Sequence, residues 1–306
     1  MLLSRTSAAK RRADPGYERT GASVADWLET YRGVVNPWEC DVVQHFTIAY
    51  YFDRFADATR NFFDLIGAGH DQRGAVGHGP ARGVATFQHE LRAGAGFHIV
   101  TAVAGFDKQT LQLGHQVVES TSNKTVSWFH ESLALPETLP ESAKRKLAAA
   151  CVPWPGPKPA NRAPPSAAQG PLTARDRVKP WEIGEAGTMS LPAHIHRFSA
   201  AALHALAAIG MTATYMQEQR RGFSTFELDL NRVGEAKTGE IIDVTTAVSH
   251  VGKSSLRLAH RMTGPGGRQI AFLQQSGVHL DMDARRSTPI PDELRVSAQR
   301  LLTPDS

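Results

Sequence analysis

The chain is written twice. Pro37-Trp38-Glu39 returns as Pro180-Trp181-Glu182, 143 positions on. At that offset Arg54-Phe55 matches Arg197-Phe198, and Gly67 matches Gly210. Arg82-Gly83-Val84-Ala85-Thr86-Phe87 parallels Arg221-Gly222-Phe223-Ser224-Thr225-Phe226 at 139, and Lys108 and His115 match Lys253 and His260 at 145. Small drifts in offset are what loop insertions leave behind, and a chance likeness in composition does not keep the order of the blocks. The period is too long for a solenoid repeat, so the duplicated piece is a domain. The 306 residues have room for about two domains of roughly 150 each.

Each half follows the same order. Tyr51, Phe55, Ala58, Phe62 and Leu65 recur at helical steps, with Gly67 as a C-cap; Phe198, Ala201, Ala205, Leu206 and Ile209 do the same before Gly210. Strand-like runs follow at 84–91, 97–104, 110–119 and 125–133, with Ser122-Asn123 turning between the last two. One long helix beside several antiparallel strands buries its apolar stripe against a curved sheet, which makes the chain α+β. Between the halves, Pro153, Pro155, Pro157, Pro159, Pro164 and Pro165 remove backbone donors and fix φ. The expected division is a disordered tail over 1–29, a first domain over 30–135, a short helix (141–150) and extended linker within 136–178, a second domain over 179–285, and a C-terminal tail over 286–306.

The formal charge is +4, with the basic excess in the tail (Lys10, Arg11, Arg12) and near the middle (Lys144, Arg145, Lys146). There is no basic patch with interleaved aromatics, so no nucleic-acid partner is expected. Two cysteines, Cys40 and Cys151, give neither metal spacing nor a disulfide framework, which fits a reducing, cytoplasmic setting. No run approaches the ~18 apolar residues of a membrane span. His194 and His196 have the spacing of a metal pair but no acidic or thiol partner close by, so neither a metal nor a cofactor is expected.

After the repeated Pro-Trp-Glu the halves part. The first has Asp41 and His45; the second has Gly184 and Thr188 there. Folding alone gives no reason for one half to lose both polar groups. An aspartate ahead of a helix is often its N-cap, but that reading does not account for the loss. Glu39 is repeated as Glu182, which favours a shared structural role. Cys40, opposite Ile183, reads as packing, and Trp38 and Trp181 as packing under the helix entrance. His115 and His260, at matching strand positions, read as parts of the fold.

Asp41, His45, Tyr50-Tyr51 at the helix start, and the run Phe87-Gln88-His89-Glu90-Leu91-Arg92-Ala93-Gly94 together resemble the hotdog-fold acyl-CoA thioesterases of the 4-hydroxybenzoyl-CoA thioesterase-like group. The resemblance covers about 31–135 well and 179–283 more faintly. Gln44-His45-Phe46-Thr47-Ile48 stands where that family often has Gly-His-x-Asn-Asn. The resemblance implies two tandem hotdog domains, each a long helix wrapped by a curved antiparallel sheet, with the sheets side by side and active sites at the junction. It also implies further pairing into a homo-oligomer and an acyl-CoA substrate with a short or polar acyl group. Asp41 would be the catalytic carboxylate, as general base or as nucleophile. His45 would orient it or the water, donate to the carbonyl, or make only a structural hydrogen bond. The backbone N–H groups of Gln44, His45 and Phe46, taken as the first turn of the helix, would hold the oxyanion. Trp38, Tyr50 and Tyr51 would line the acyl pocket, with core packing as the other reading of the tyrosines. Arg82, Gly83, Arg92 and Lys124 are candidates for the CoA phosphates against a default of solvated surface. The rivals are an enoyl-CoA hydratase or dehydratase on the same fold, whose Asp-x-Asn-Pro-x-His is absent here, and a non-catalytic acyl-CoA-binding protein.

Overall fold

A computed structural model describes residues 27–41, 44–66, 81–107, 109–135, 139–159, 170–184 and 187–301. The first unit comprises β1 (Leu28–Val34), a 3-10 turn (Pro37–Glu39), α1 (Ile48–Leu65), β2 (Ala81–Phe87), β3 (Gly96–Phe106), β4 (Thr110–Glu119) and β5 (Thr125–Ala134). After α2 (Glu141–Ala149) the second unit repeats it. Its elements are β6 (Leu172–Arg177), a 3-10 turn (Pro180–Glu182), α3 (Leu191–Ala208), α4 (Ala213–Glu218), β7 (Arg221–Arg232), β8 (Ile241–Val251), β9 (Ser255–Thr263), β10 (Gln269–Asp281), β11 (Arg286–Ser287) and α5 (Asp292–Arg300). Among the described residues, eleven strands form one sheet, ten of them in the order β1-β3-β4-β5-β2-β7-β10-β9-β8-β6 and β11 paired with β10.

The helix pattern does what it predicts. Tyr51, Phe52, Phe55, Ala58 and Phe62 are buried on one side of α1, and Phe55 stacks on Phe129 of β5 at 4.6 Å between ring centres. Each fully buried phenylalanine of this kind contributes about 1.5–3 kcal/mol. In the second unit Phe198, Ala201, Ala205 and Leu206 do the same work on α3, which ends at Ala208 with Gly210 (φ +101) just past its C-cap Ile209. Gly67 lies outside the described residues. A polar chain runs beneath the helices in both units: Thr30–Thr101–His115 (2.7 and 2.8 Å) is repeated as Thr173–Thr246–His260 (2.6 and 2.8 Å). The two histidines therefore hold equivalent structural positions.

The units join where β2 pairs with β7, and Val84 opposite Asp229 marks the pseudo-two-fold axis. On either side, Ala85 faces Leu228 and Gly83 faces Leu230. His115 faces Phe129, which faces Ala85; His260 faces Leu273, which faces Leu230. The true offset here is therefore 145, and the match of Arg82–Phe87 to Arg221–Phe226 at 139 is not a structural equivalence. β7 has 12 residues against 7 in β2. Its first part, Arg221–Phe226, runs past β2 and pairs with β10 alone. Arg82 bridges the junction, donating to Asp229 from Nε (3.0 Å) and Nη2 (2.7 Å).

Other boundaries shift. The linker ends where β6 begins at Leu172. Before that, Trp154 lies against Trp27 and Trp128, and its indole N–H donates to the Pro157 carbonyl at 2.9 Å. A Cβ at Gly114 would sit 2.2 Å from that indole, so only glycine lets the strap lie flat on β4. The C-terminal region is not a tail over its described part: α5 buries Leu294 and Ala298 against the second unit. The expected disordered N-terminal tail falls outside the described residues up to 26, and β1 begins at Leu28. Trp38 and Trp181 do not pack under the helix entrances; they are 74% and 80% exposed. Among the described residues no helix is long and apolar enough to cross a membrane.

Replacing Arg82 with alanine leaves the buried Asp229 carboxylate at the junction without its bidentate partner. A loss of about 2–4 kcal/mol is expected, short of a fully buried pair because Arg82 is part-exposed. Urea denaturation of Arg82→Ala, compared with the parent chain, measures it.

Candidate active site at the junction of the two units

The loop that carries the candidate residues starts from a buried acid. Glu39 accepts the Asn36 N–H at 2.8 Å and takes the Arg54 guanidinium; Glu182 accepts the Lys179 N–H at 2.8 Å and pairs with Arg197 at 2.5 Å. This repeat supports the structural reading of Glu39. The chain then turns back on itself. The Asp41 N–H donates to the His45 carbonyl (2.8 Å), the Gln44 N–H to the Asp41 carbonyl (2.9 Å), and the His45 N–H to Asp41 Oδ1 (2.9 Å). Cys40 bridges to Phe46 and packs on the core, as expected of it.

The second unit keeps the backbone and drops the chemistry. Gly184 donates to Thr188 (2.9 Å) and Gly187 to Gly184 (3.0 Å). Gly187 has φ +72, a conformation glycine adopts freely; its counterpart Gln44 holds φ +65 with a side chain attached.

One expectation about this loop changes, and the rival reading of Asp41 fails. Asp41 is not the N-cap of α1, because the helix starts at Ile48 with Thr47 as N-cap. For the same reason Gln44, His45 and Phe46 are not its first turn. Their N–H groups are already engaged, with the Asp41 carbonyl, Asp41 Oδ1 and the Leu91 carbonyl (2.8 Å) respectively. The first-turn donors of α1 come later, at Ile48 and Ala49, and the Thr47 side chain makes no cap bond to them.

Asp41 and His45 border a cleft of about 410 Å³ between the units. One wall is Phe46, Ile48, Tyr51 and the segment 87–91; the other is Phe223–Phe226 of β7, Val278 and Leu280 of β10, and the hairpin residues 285–287. The overhang of β7 beyond β2 is what builds the second wall. Tyr51 is buried, edge-on to Phe87 at 5.3 Å. Burial raises its hydroxyl pKa, and the hydroxyl bonds to the Leu91 backbone. Tyr50 lies outside the cleft lining, between Phe46 and His196 of α3 (6.2 and 5.6 Å). The exposed Trp38 is likewise absent from the lining.

The cleft contains two groups that the sequence reading did not assign. His45 Nε2 lies 3.1 Å from Glu90 Oε2, and Arg285, from the β10–β11 hairpin of the second unit, donates to both. Burial, then the charges of Arg285 and Arg92, push the His45 pKa down to about 4. Sequence held a signal for Glu90: at the structural offset of 145, Glu90-Leu91-Arg92-Ala93-Gly94 is repeated as Glu235-Ala236-Lys237-Thr238-Gly239. Arg285 carries none, because only the fold brings it 240 positions back along the chain.

The CoA candidates divide. Arg82 is committed to Asp229, and Gly83 is glycine because a Cβ would meet the Phe129 ring at 2.6 Å, so both serve the junction. Arg92 stands at the rim, 3.9 Å from Glu90. Lys124 belongs to the β4–β5 turn, two residues from Val126, whose carbonyl accepts the Gln88 and His89 N–H groups (2.8 and 3.2 Å). It therefore lies at the cleft end of the sheet. Across the pseudo-axis, Leu191 and Arg232, the counterparts of Ile48 and Phe87, line with Phe129 and Glu131 a void of only about 10 Å³ among the described residues. A larger open groove of about 750 Å³ lies at Arg177, Glu240 and Asp243. Its acids are tied up, Asp243 by Arg175 (2.6 Å) and Glu240 by Arg268 (2.6 Å), so it offers less chemistry than the smaller cleft.

The thioesterase-like superfamily model matches residues 35–135 and 178–297, more than half the chain and both units. The chain belongs to that superfamily, and its two units are tandem hotdog domains. Among solved structures it is similar to an acyl-ACP thioesterase from Bacteroides thetaiotaomicron. The TM-score is 0.61 at 12% identity, over 81% of this chain and 96% of that one. It is also similar to the 12:0-ACP thioesterase of Umbellularia californica, with TM-score 0.61 at 11% identity, over 81% and 93%. Comparison with curated proteins finds no match.

Replacing Gln44 with glycine relieves a left-handed residue that costs about 1–2 kcal/mol, less about 0.5–1 kcal/mol of added chain entropy. Gln44→Gly is expected to be neutral to slightly stabilising in thermal unfolding. A clear loss of stability would show that the side chain holds the loop.

Proposed function

We propose that the chain is a thioester hydrolase with one working site, in the cleft at Asp41, acting on an acyl-CoA or a similarly carried short or polar acyl thioester. The observation that carries this reading is the asymmetry. One side of the pseudo-axis has a cleft with Asp41, His45 and Glu90; the other has Gly184 and Thr188 on the same backbone and, among the described residues, a void of only about 10 Å³.

Hydrolysis needs an activated water and donors for the charge that builds on the carbonyl oxygen. Asp41 is exposed at the cleft mouth, where water reaches it, and acts as the general base. Its tie to the His45 N–H fixes the carboxylate without burying it. The oxyanion is assigned to the N–H groups of Ile48 and Ala49, at the positive end of an 18-residue helix, with Ile48 in the cleft wall. His45, held neutral, donates to the carbonyl. Phe46, Tyr51, Phe87, Phe223 and Phe226 make the acyl wall. Arg92 and Lys124 remain the candidates for the carrier's phosphates, at the same end of the sheet.

Asp41→Asn is expected to lower kcat by about 10²–10⁴-fold, the usual worth of a positioned general base, across a panel of acyl-CoAs followed by thiol release. A folded Asp41→Asn protein with undiminished turnover would sink the assignment. Loss of enoyl absorbance without thiol release would instead favour a hydratase, and tight binding of CoA thioesters with no turnover a binding protein.

A further inference from the structure

The unit that lost its own carboxylate reaches into the site of the other. β10 and β11 are joined by residues 282–285, and Arg285 at the end of that turn holds φ +53, outside the usual range for a residue with a side chain. The turn is held from below. His279 of β10 is buried and bonds through Nε2 with the Tyr215 hydroxyl of α4 (2.9 Å) and through Nδ1 with the Pro289 carbonyl (3.0 Å). The Thr288 N–H returns to the His279 carbonyl at 2.8 Å. The neighbouring arginines face the other way: Arg220 pairs with Asp283 (3.0 Å) and Arg221 with Asp281 (3.1 Å). Arg285 points across the junction to Glu90 and His45.

We propose that Arg285 is a positioning residue for the site of the first unit, clamping Glu90 as a carboxylate and fixing the His45 imidazole as the neutral tautomer with its proton on Nδ1. The inference rests on the hydrolase reading for its catalytic meaning, though not for its geometry. A guanidinium only donates, so the ring nitrogen it meets, Nε2, must accept. The proton then stays on Nδ1. Without Arg285, Glu90 at 3.1 Å would draw a proton onto Nε2 and make an imidazolium–carboxylate pair. With it, the carboxylate is satisfied from the other side, and the imidazole remains a donor that releases no charge into the cleft. The charged and titratable groups around the ring are Asp41 on its own loop, His89, Glu90 and Arg92 on the β2–β3 loop, Tyr51 on α1, and Arg285 with Arg286 on the hairpin. The cationic ones oppose protonation, in line with the His45 pKa near 4.

The sign of the effect is fixed. Removing Arg285 removes a positive charge and leaves Glu90 free to pair with the ring, so the His45 pKa rises from about 4, while burial, the larger cause of its depression, remains. Nitrogen-15 NMR of the full chain, with His45 assigned from a His45→Gln spectrum, reads both the titration and the tautomer. In Arg285→Ala the Nδ1–H tautomer should disappear and the titration should move up, with partial recovery in Arg285→Lys. The acid limb of kcat/KM should move up in parallel, because the imidazolium can no longer serve as the neutral donor. If the Arg285→Ala protein is folded and His45 keeps its low titration and its Nδ1 proton, the proposal is overturned. If the NMR shifts appear as stated but the parent chain releases no thiol from any acyl-CoA of the panel, the clamp stands and the hydrolase reading falls.

Discussion

The pairing of β2 with β7 is the constraint on which the rest depends. It turns two curved sheets into one, places Val84 against Asp229 on the pseudo-axis, and lays α1 and α3 side by side. The cleft exists because that pairing is partial. Only the second part of β7 meets β2; the first part continues with β10 and stands opposite the Asp41 loop as its other wall. A β7 trimmed to the length of β2 would still join the units and would remove Phe223–Phe226 from that wall. Arg82 and Asp229 lock this geometry with a bidentate pair at the axis.

Much of this was legible in the sequence, and the failures have physical causes. The duplication, the long helices and the strands of each unit follow from periodicity, since burial on one face imposes it. The structural Glu39 could be read because its duplicate was retained. The offset of the Arg-Gly block misled, because a local likeness of six residues says nothing about register, and register here is set by the partner strand. The exposed tryptophans misled for a related reason: a repeated aromatic suggests a core, yet a 3-10 turn can present it to water in both copies. At the site, Asp41 and His45 stood out because one half lacks them. The first turn of the helix was placed about one turn too early, since the doubled-back loop that delays the helix to Ile48 depends on backbone bonds that sequence does not display.

Glu90 and Arg285 show how the two kinds of reading differ. Glu90 sits in a motif present in both halves, and its presence alone does not separate them. What separates them is what it faces. In the first unit it meets His45 and an arginine from the other unit; at the matching places the second unit has Thr188 for the histidine and a different environment for Glu235. The proposed site is thus specified by both halves, although the residues proposed for catalysis come from one.

The Trp154 strap gives the joined chain a property that separate units would lack. In a pair of identical hotdog subunits, any residue placed on one hairpin appears on both, and the complete site falls apart whenever the pair dissociates. Here the two units are one molecule, and the connection is pinned to the outer face of the sheet by Trp27, Trp128 and the missing Cβ of Gly114. The second unit stays at a high effective concentration beside the first, whatever the protein concentration. Dilution cannot empty the site of Arg285, and each half is free to diverge without its changes being imposed on the other.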